Sequence, residues 1–389
     1  YYLAVKYDYW TYYNGFSFYY HRLTGEADKL GAITAIPEIP VPRGDWRKIG
    51  ADALDCIQKK AGWIQLSSGF SGWGYWSGDA ITAYSGLGDK AYKDFLAHKY
   101  KSISGVNREF GEDFYSFTHI KTPGGSGLFQ RPAWPGLSKW NMEYLNFLQS
   151  GLKPAWRLLR IGAGEWQGYL KNLPGIGQDL AAFNKMAGTG YASWEEIRLP
   201  LALPDGPPGL RAIWEKSVRE TVNPLFITLA DDPSLQGLFN DFLVRRYRTK
   251  EAVFQAYMTF TDFPRVPRSG QDALASMPLY EDWDAFVRTV PAKFISLRTG
   301  DAIWLEYLRG KYGDIAAVNG AYGTAYAGLE DVPWPQPEID RLDWESNRFF
   351  YLRELLFKNY RRVWSWVVDA TPALWNTLRF ALCFAFLSV

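Results

Sequence analysis

The densest run of chemistry-capable side chains lies between Gly62 and Asp79. Trp63, Trp73, Tyr75 and Trp76 are separated there by Gly62, Gly69, Gly72, Gly74 and Gly78. No regular helix accommodates that many glycines, and glycine permits positive φ and close backbone approach. Such a loop can present aromatic faces to sugar rings, with the Asp79 carboxylate taking hydroxyl donors. Trp63, Trp73, Tyr75, Trp76 and Asp79 are therefore the candidate substrate-binding residues, for a carbohydrate. The competing reading is a packed aromatic turn that caps the first helical unit, with Asp79 as N-cap of a helix from Ala80.

Other chemistry is scarce. There is no Gly-x-x-x-x-Gly-Lys-Ser/Thr loop and no Gly-x-Gly-x-x-Gly after a strand. No Gly-x-Ser-x-Gly elbow occurs. His21, His98 and His119 have no partner at metal-ligand spacing, so neither metal nor cofactor is expected. Acidic clusters do occur: Glu109/Glu112/Asp113, Glu195/Glu196, Asp231/Asp232 and Asp340/Asp343/Glu345. A glycosidase needs two facing carboxylates about 5 or about 6.5–9.5 Å apart. These clusters sit at surface-like helix ends, where solvated or capping roles are expected. A net charge of +2 gives no case for nucleic acid. Cys56 and Cys383 make no disulfide framework.

The elements that must position all this repeat. Trp304-Leu305-Glu306-Tyr307-Leu308, Lys311-Tyr312-Gly313, Val318-Asn319, Gly323-Thr324 and Val332-Pro333-Trp334-Pro335 form one string. Phe95-Leu96, Lys99-Tyr100, Val106-Asn107, Gly111 and Pro123 form another. Tyr169-Leu170, Phe183-Asn184, Gly188-Thr189 and Pro200 form a third. A worn fourth has Phe242-Leu243, Arg246-Tyr247 and Val253, with Gln255 read in the place of Asn. Copies begin at 95, 169, 242 and 307, and such periodicity marks a repeat architecture. Leu305, Leu308 and Tyr312 predict an amphipathic helix. Ala316–Tyr322 predicts a short helix stopped by Gly323. A further helix, starting at Trp140, Trp214 or Trp283, precedes each of the later copies, with Pro154, Pro224 or Pro291 after it. Asn107, Asn184 and Asn319 are expected to fix the turn beside the short helix, since Asn bonds readily to nearby backbone.

The expected fold class is thus mainly α: an array of about four helical repeat units with Pro/Gly-rich loops. Residues 1–79 form an aromatic, irregular or β N-terminal region, with a helix at Trp46–Lys60. The array runs over 80–338, in units at about 80–123, 138–200, 210–267 and 280–337. Residues 339–371 make a long connecting helix. Residues 372–389 read as the start of a transmembrane helix, since their apolar run falls short of the ~20 residues that a full span needs. Aromatics are 17% of the chain, with 18 Trp, 25 Tyr and 24 Phe, and most must be core. The chain opens on Tyr1 and reads as a fragment of a longer protein.

Two resemblances follow from these residues. Asn359-Tyr360-Arg361-Arg362-Val363 with Ala373-Leu374-Trp375-Asn376-Thr377-Leu378 resembles the entry to a core membrane helix of carbohydrate ABC-transporter permeases. Ile36-Pro37, Ile39-Pro40, Pro42-Arg43, Gly62-Trp63-Ile64-Gln65 and Gly69-Phe70-Ser71-Gly72-Trp73 resemble the large extracytoplasmic insert that a subset of those permeases carries. The resemblance implies the bacterial inner (cytoplasmic) membrane, with most of the chain on the extracytoplasmic side. It also implies three partners: a solute-binding protein, a partner permease subunit and an ATPase subunit. Trp304–Tyr326 separately resembles a helical segment of barrel-fold β-galactosidases, without their catalytic carboxylates. The expected function is to dock a solute-binding protein or receive a carbohydrate, with no catalysis. The alternatives are a glycoside-hydrolase-like enzyme and a non-enzymatic helical scaffold for protein partners.

Overall fold

A computed structural model describes residues 44–60, 66–68, 87–120, 128–129, 131, 138–159, 162–370 and 372–387. The described chain is mainly helical. It opens with α1 (Trp46–Lys60), β1 (Leu66–Ser68), α2 (Leu87–Tyr100) and α3 (Ile103–Phe110). The same order then returns. α4 (Lys139–Asn146) runs through a π turn and the 3-10 turn Pro154–Trp156 into β2 (Arg157–Leu159), α5 (Gly162–Lys171) and α6 (Leu180–Ala187). α7 (Pro208–Glu220) leads through Pro224–Phe226 to β3 (Ile227–Leu229), α8 (Ser234–Tyr247) and α9 (Lys250–Ala256). After the short α10 (Gly270–Ala273), α11 (Met277–Val287) leads through Ala292–Phe294 to β4 (Ile295–Leu297), α12 (Gly300–Tyr312) and α13 (Ile315–Tyr322). α14 (Gln336–Ala370) and α15 (Pro372–Leu387) complete it.

Local chemistry explains the recurring parts. Each short helix carries a side-chain N-cap: Ser102, Asp179, Thr249 and Asp314 accept from the N–H groups of Gly105, Ala181, Ala252 and Ala317. α3, α6 and α13 end on Gly111, Gly188 and Gly323 at φ of +70°, +73° and +67°, the left-handed region where glycine is free of a Cβ penalty. Prolines start the 3-10 turns Pro154–Trp156 and Pro224–Phe226, where no donor is lost.

The expected starts at Trp214 and Trp283 are corrected. Both rings lie inside their helices and are fully buried, because their indole N–H groups donate to the carbonyls of Pro200 and Pro267 at 2.8 and 2.9 Å. Each Trp thus pins its helix to the Pro-rich segment before it.

β1 lies within the N-terminal region where irregular or β structure is expected, whereas β2, β3 and β4 fall where only helices and loops are expected. β1 pairs antiparallel with β2, with Ser67 opposite Leu158, and β3 pairs with β4, with Thr228 opposite Ser296. Ser269 bridges to Thr228 and Ala202 to Ser296. The Pro-rich segments therefore flank the β3–β4 pair as edges, the place in a sheet where proline is tolerated.

The buried apolar residues fall in two clusters. One joins α5–α9, α11 and the β3–β4 pair around Trp166, Trp214, Phe239 and Trp283. The other joins α1–α4 with α12–α14 around Tyr92, Phe147, Trp304 and Tyr322. The first described helix therefore packs on helices far along the chain: α1 lies against α12, α13 and α14. At Gly50 of α1 a Cβ would stand 2.7 Å from a Leu342 methyl and 3.0 Å from the Glu338 backbone, so only glycine allows α14 this close. α14 bends at Asn347 (φ −125°, ψ 21°), whose side chain donates to the Asp343 carbonyl at 3.2 Å and its carboxylate at 2.9 Å.

Candidate functional site

Trp63, Trp73, Tyr75, Trp76 and Asp79 lie outside the described residues, as does His21. The clusters of ionisable groups that are described sit at helix junctions. Asp52 of α1 is 5% exposed. It accepts from Lys311 Nζ at 2.6 Å, from Tyr322 OH at 2.9 Å and from Tyr312 OH. Its neighbour Asp55 accepts from Tyr307 OH at 2.8 Å, and the bonds from Lys59 and Tyr307 hold the Asp55 carboxyl below its usual range. Burial, then the adjacent carboxylates, push the Tyr307, Tyr312 and Tyr322 phenols far up.

Asp282 of α11 is its counterpart. It is 1% exposed and accepts from Tyr257 OH at 2.6 Å and Tyr247 OH at 2.9 Å, with Arg246 Nε at 2.7 Å. Arg246-Tyr247 and Tyr257 stand in α8 and after α9 as Lys311-Tyr312 and Tyr322 stand in α12 and α13. Glu143 of α4 does the same work for α2, accepting from Lys99 Nζ at 2.7 Å through both oxygens. There Phe110 replaces the second phenol: Tyr100 meets Phe110 edge-on at 5.5 Å, as Tyr312 meets Tyr322 at 5.5 Å. The α6–α7 junction has Ile213 before Trp214 instead of an acid, and closes by backbone approach. A Cβ on Gly209 would stand 2.3 Å from the Met186 carbonyl.

A buried carboxylate beside phenols and a cation resembles acid–base machinery. Its recurrence at three junctions, with donors supplied by the neighbouring helices, marks it as a clamp. The raised phenols keep their protons near neutrality and so remain donors to the carboxylates. Cys56 is buried, its thiol pushed up to about 12 mainly by desolvation, which removes it as a nucleophile.

The asparagine expectation holds at Asn107, Asn184 and Asn319. Asn107, Asn184 and Asn319 donate from Nδ2 to the carbonyls of Phe114, Tyr191 and Tyr326 at 2.9, 2.9 and 2.8 Å. The N–H groups of the same residues return bonds to Oδ1 at 3.0, 3.1 and 2.9 Å. Thr189 and Thr324 add a hydroxyl to the same Oδ1. One part is corrected: Phe254, not Gln255, takes the Asn place. Thr259 N–H donates to Phe254 O as Thr324 N–H donates to Asn319 O, and the Thr259 hydroxyl donates to the Asp262 carbonyl at 2.9 Å, so the turn there is held without an amide side chain.

No family model, curated protein or solved structure matches the chain.

The acidic clusters divide. Glu109 pairs with Lys139 at 3.3 Å, Glu196 accepts from Ala192 N–H at 2.8 Å, and Asp232 accepts from Ser234 N–H at 2.8 Å. Those are the surface and capping roles expected. Asp340 and Asp343 depart from that expectation and are buried. Asp343 receives Trp156 Nε1 at 3.2 Å and the Tyr351 hydroxyl, which ties α14 to the turn before β2. No group of His, Cys, Asp and Glu able to hold a metal is found among the described residues.

The acids Asp52, Asp282 and Glu143 were missed from sequence because their partners lie on other elements. A signal existed: the cation–tyrosine pairs Lys99-Tyr100, Arg246-Tyr247 and Lys311-Tyr312 recur, and such a pair asks for a carboxylate.

Proposed function

We propose that this chain is the extracytoplasmic region of a carbohydrate-importer permease subunit in a bacterial inner membrane. It is an array of four helical units that performs no catalysis and docks a solute-binding protein or receives a sugar. It passes through α14 to a membrane helix that begins in α15. The observation that carries this reading is the exposure of α15. Phe380, Ala381, Leu382, Cys383 and Phe384 are all exposed, Phe380 and Phe384 by 76% each. Consecutive helical residues point about 100° apart, so these five cover the whole circumference. A helix laid on the array would hide one side, and so large an apolar surface is an interaction surface.

No described helix is long and apolar enough to cross a membrane. α15 has 16 residues, roughly 24 Å at 1.5 Å per residue, against a hydrocarbon core of about 30 Å. In this reading α15 is the first part of a span. The array needs no active site to serve as a platform, and its acid clamps would keep the docking surface rigid. Trp63, Trp73, Tyr75, Trp76 and Asp79 would form the carbohydrate contact.

Expression in a bacterial host followed by membrane fractionation tests the anchor. The chain should sediment with membranes and resist a high-salt wash. A monodisperse chain in the soluble fraction would overturn it. Sugar titration tests the platform: Trp73→Ala or Trp76→Ala should weaken binding by about 1–3 kcal/mol, the scale of a lost large apolar contact, with the fold unchanged. If the substitutions lower only the melting temperature and the native chain gives no heat, the aromatic loop is a cap.

A further inference from the structure

α14 changes character at its Asn347 bend. Between Gln336 and Ser346 it carries Glu338, Asp340, Asp343 and Glu345 against Arg341 alone, and this half packs on α1. Between Asn347 and Ala370 it carries Arg348, Arg353, Lys358, Arg361 and Arg362 against Glu354 and Asp369, a net of +3. The whole chain carries only +2, so this half-helix concentrates the positive charge.

The same half exposes large rings. Phe349, Phe357 and Tyr360 are 81%, 53% and 76% exposed. Phe349, Arg353, Phe357 and Tyr360 follow at i, i+4, i+8 and i+11, which is one face of a helix. The Arg348 guanidinium lies 5.8 Å from the Phe349 ring. Phe350 borders that face, with the Arg353 guanidinium 6.0 Å from its ring, and packs 6.2 Å from Trp156, while Tyr351 on the far side is buried. The helix therefore seats one side on the array and turns aromatics and arginines outward.

We propose that this outward face of α14, from Arg348 to Tyr360, is a docking surface for an anionic phospholipid headgroup layer. The occupant follows from charge and ring type together. Amphipathic aromatic rings favour the membrane–water boundary, and clustered Arg/Lys side chains are attracted to anionic lipid. α14 leads on to α15, where Phe380, Ala381, Leu382, Cys383 and Phe384 are exposed beyond the exposed polar residues Asn376, Thr377 and Arg379, so the ring face and the apolar turn share one boundary. The proposal rests on the membrane reading above but makes a separate demand: α15 needs hydrocarbon, whereas α14 needs negative charge.

The test uses the full chain on neutral phosphatidylcholine vesicles and on vesicles containing phosphatidylglycerol. The native chain should associate more strongly with the anionic vesicles, and salt should reduce that preference. Arg348→Glu/Arg353→Glu should lower anionic association by roughly tenfold or more, with unchanged melting because both side chains are exposed. Phe349→Ser/Phe357→Ser should lower association with both vesicle types. Binding that ignores lipid charge, salt and the arginine substitutions would overturn the proposal and leave the anchor standing. Anionic binding fully reversed by salt would support the proposal and overturn the anchor. A concentration-dependent dimer abolished by the Phe substitutions, with no change on vesicles, would assign the face to a second copy and overturn the proposal.

Discussion

The Tyr322 hydroxyl donates to the Asp52 carboxylate at 2.9 Å across a separation of 270 residues. Tyr257 and Asp282 make the same bond at 2.6 Å across 25 residues. The first helix thus stands to α12 and α13 as α11 stands to α8 and α9. The late helices α12 and α13 close on α1 through the same kind of junction that joins α8 and α9 to α11. Closing so long a loop carries an entropic cost that grows slowly with length, and the buried acid with its donors helps to offset it.

Asp52→Ala should destabilise the chain by about 3–5 kcal/mol, because it leaves phenols and Lys311 facing a void at a buried pair. Asp282→Ala should cost a similar amount, and the two losses should add, since the sites share no partner. Urea unfolding of the single and double variants measures this. A loss below about 1 kcal/mol for Asp52→Ala would mean that the closure does not depend on its clamp.

Asn319→Asp keeps the size of the side chain and removes its donor. The carboxylate would face the Tyr326 carbonyl, which now accepts from Nδ2 at 2.8 Å. A loss of about 1–3 kcal/mol at pH 7 is expected. Stability should recover in part toward pH 4, where the protonated acid can donate again. A variant with native stability at pH 7 would contradict the account of this turn.

Met258 sits at φ +53° after α9, where the other short helices place Gly111, Gly188 and Gly323. It is 92% exposed, so little packing is lost on substitution. Met258→Gly should stabilise by up to about 1 kcal/mol, the left-handed penalty less the entropy of glycine. Gly323→Met should destabilise by about 1–2 kcal/mol, since a Cβ there meets only Gly44 Cα at 3.8 Å. Thermal melts of the two variants should move in opposite directions.

Alkali should unfold the chain through groups that folding keeps protonated. The Cys56 thiol and the Tyr247 phenol are each raised to about 12, above unfolded values of about 8.5 and 10. A raised folded value adds stability below the unfolded value and loses it as pH climbs to the folded one. Denaturation midpoints should therefore fall from about pH 8.5 to pH 12. At pH 8 a thiol reagent should label Cys383, which is exposed, and reach Cys56 only in denaturant. Rapid labelling of both thiols in the native chain would refute the burial of Cys56.

Sequence alone determined what is local. The helix Trp46–Lys60 has the same bounds in sequence and structure. Short helices stopped by glycine and the Asn turns were legible because each depends on partners within about seven residues, a range that side-chain type and spacing encode directly. Tertiary structure decided the rest. Three-residue strands such as Ile227–Leu229 are too short to show a period, and pairing with Ile295–Leu297 defines them. Gln255 looked like the missing Asn because both are amides, whereas the backbone register puts Phe254 there. Asp343 has the spacing of a surface acid, and it is Trp156, from the turn before β2, together with Tyr351 beyond the bend of α14, that closes over it. Nor could Asp52 be told from any other helical acid. Its role depends on Lys311, Tyr312 and Tyr322, which only the packing of α1 against α12 and α13 brings within bonding distance.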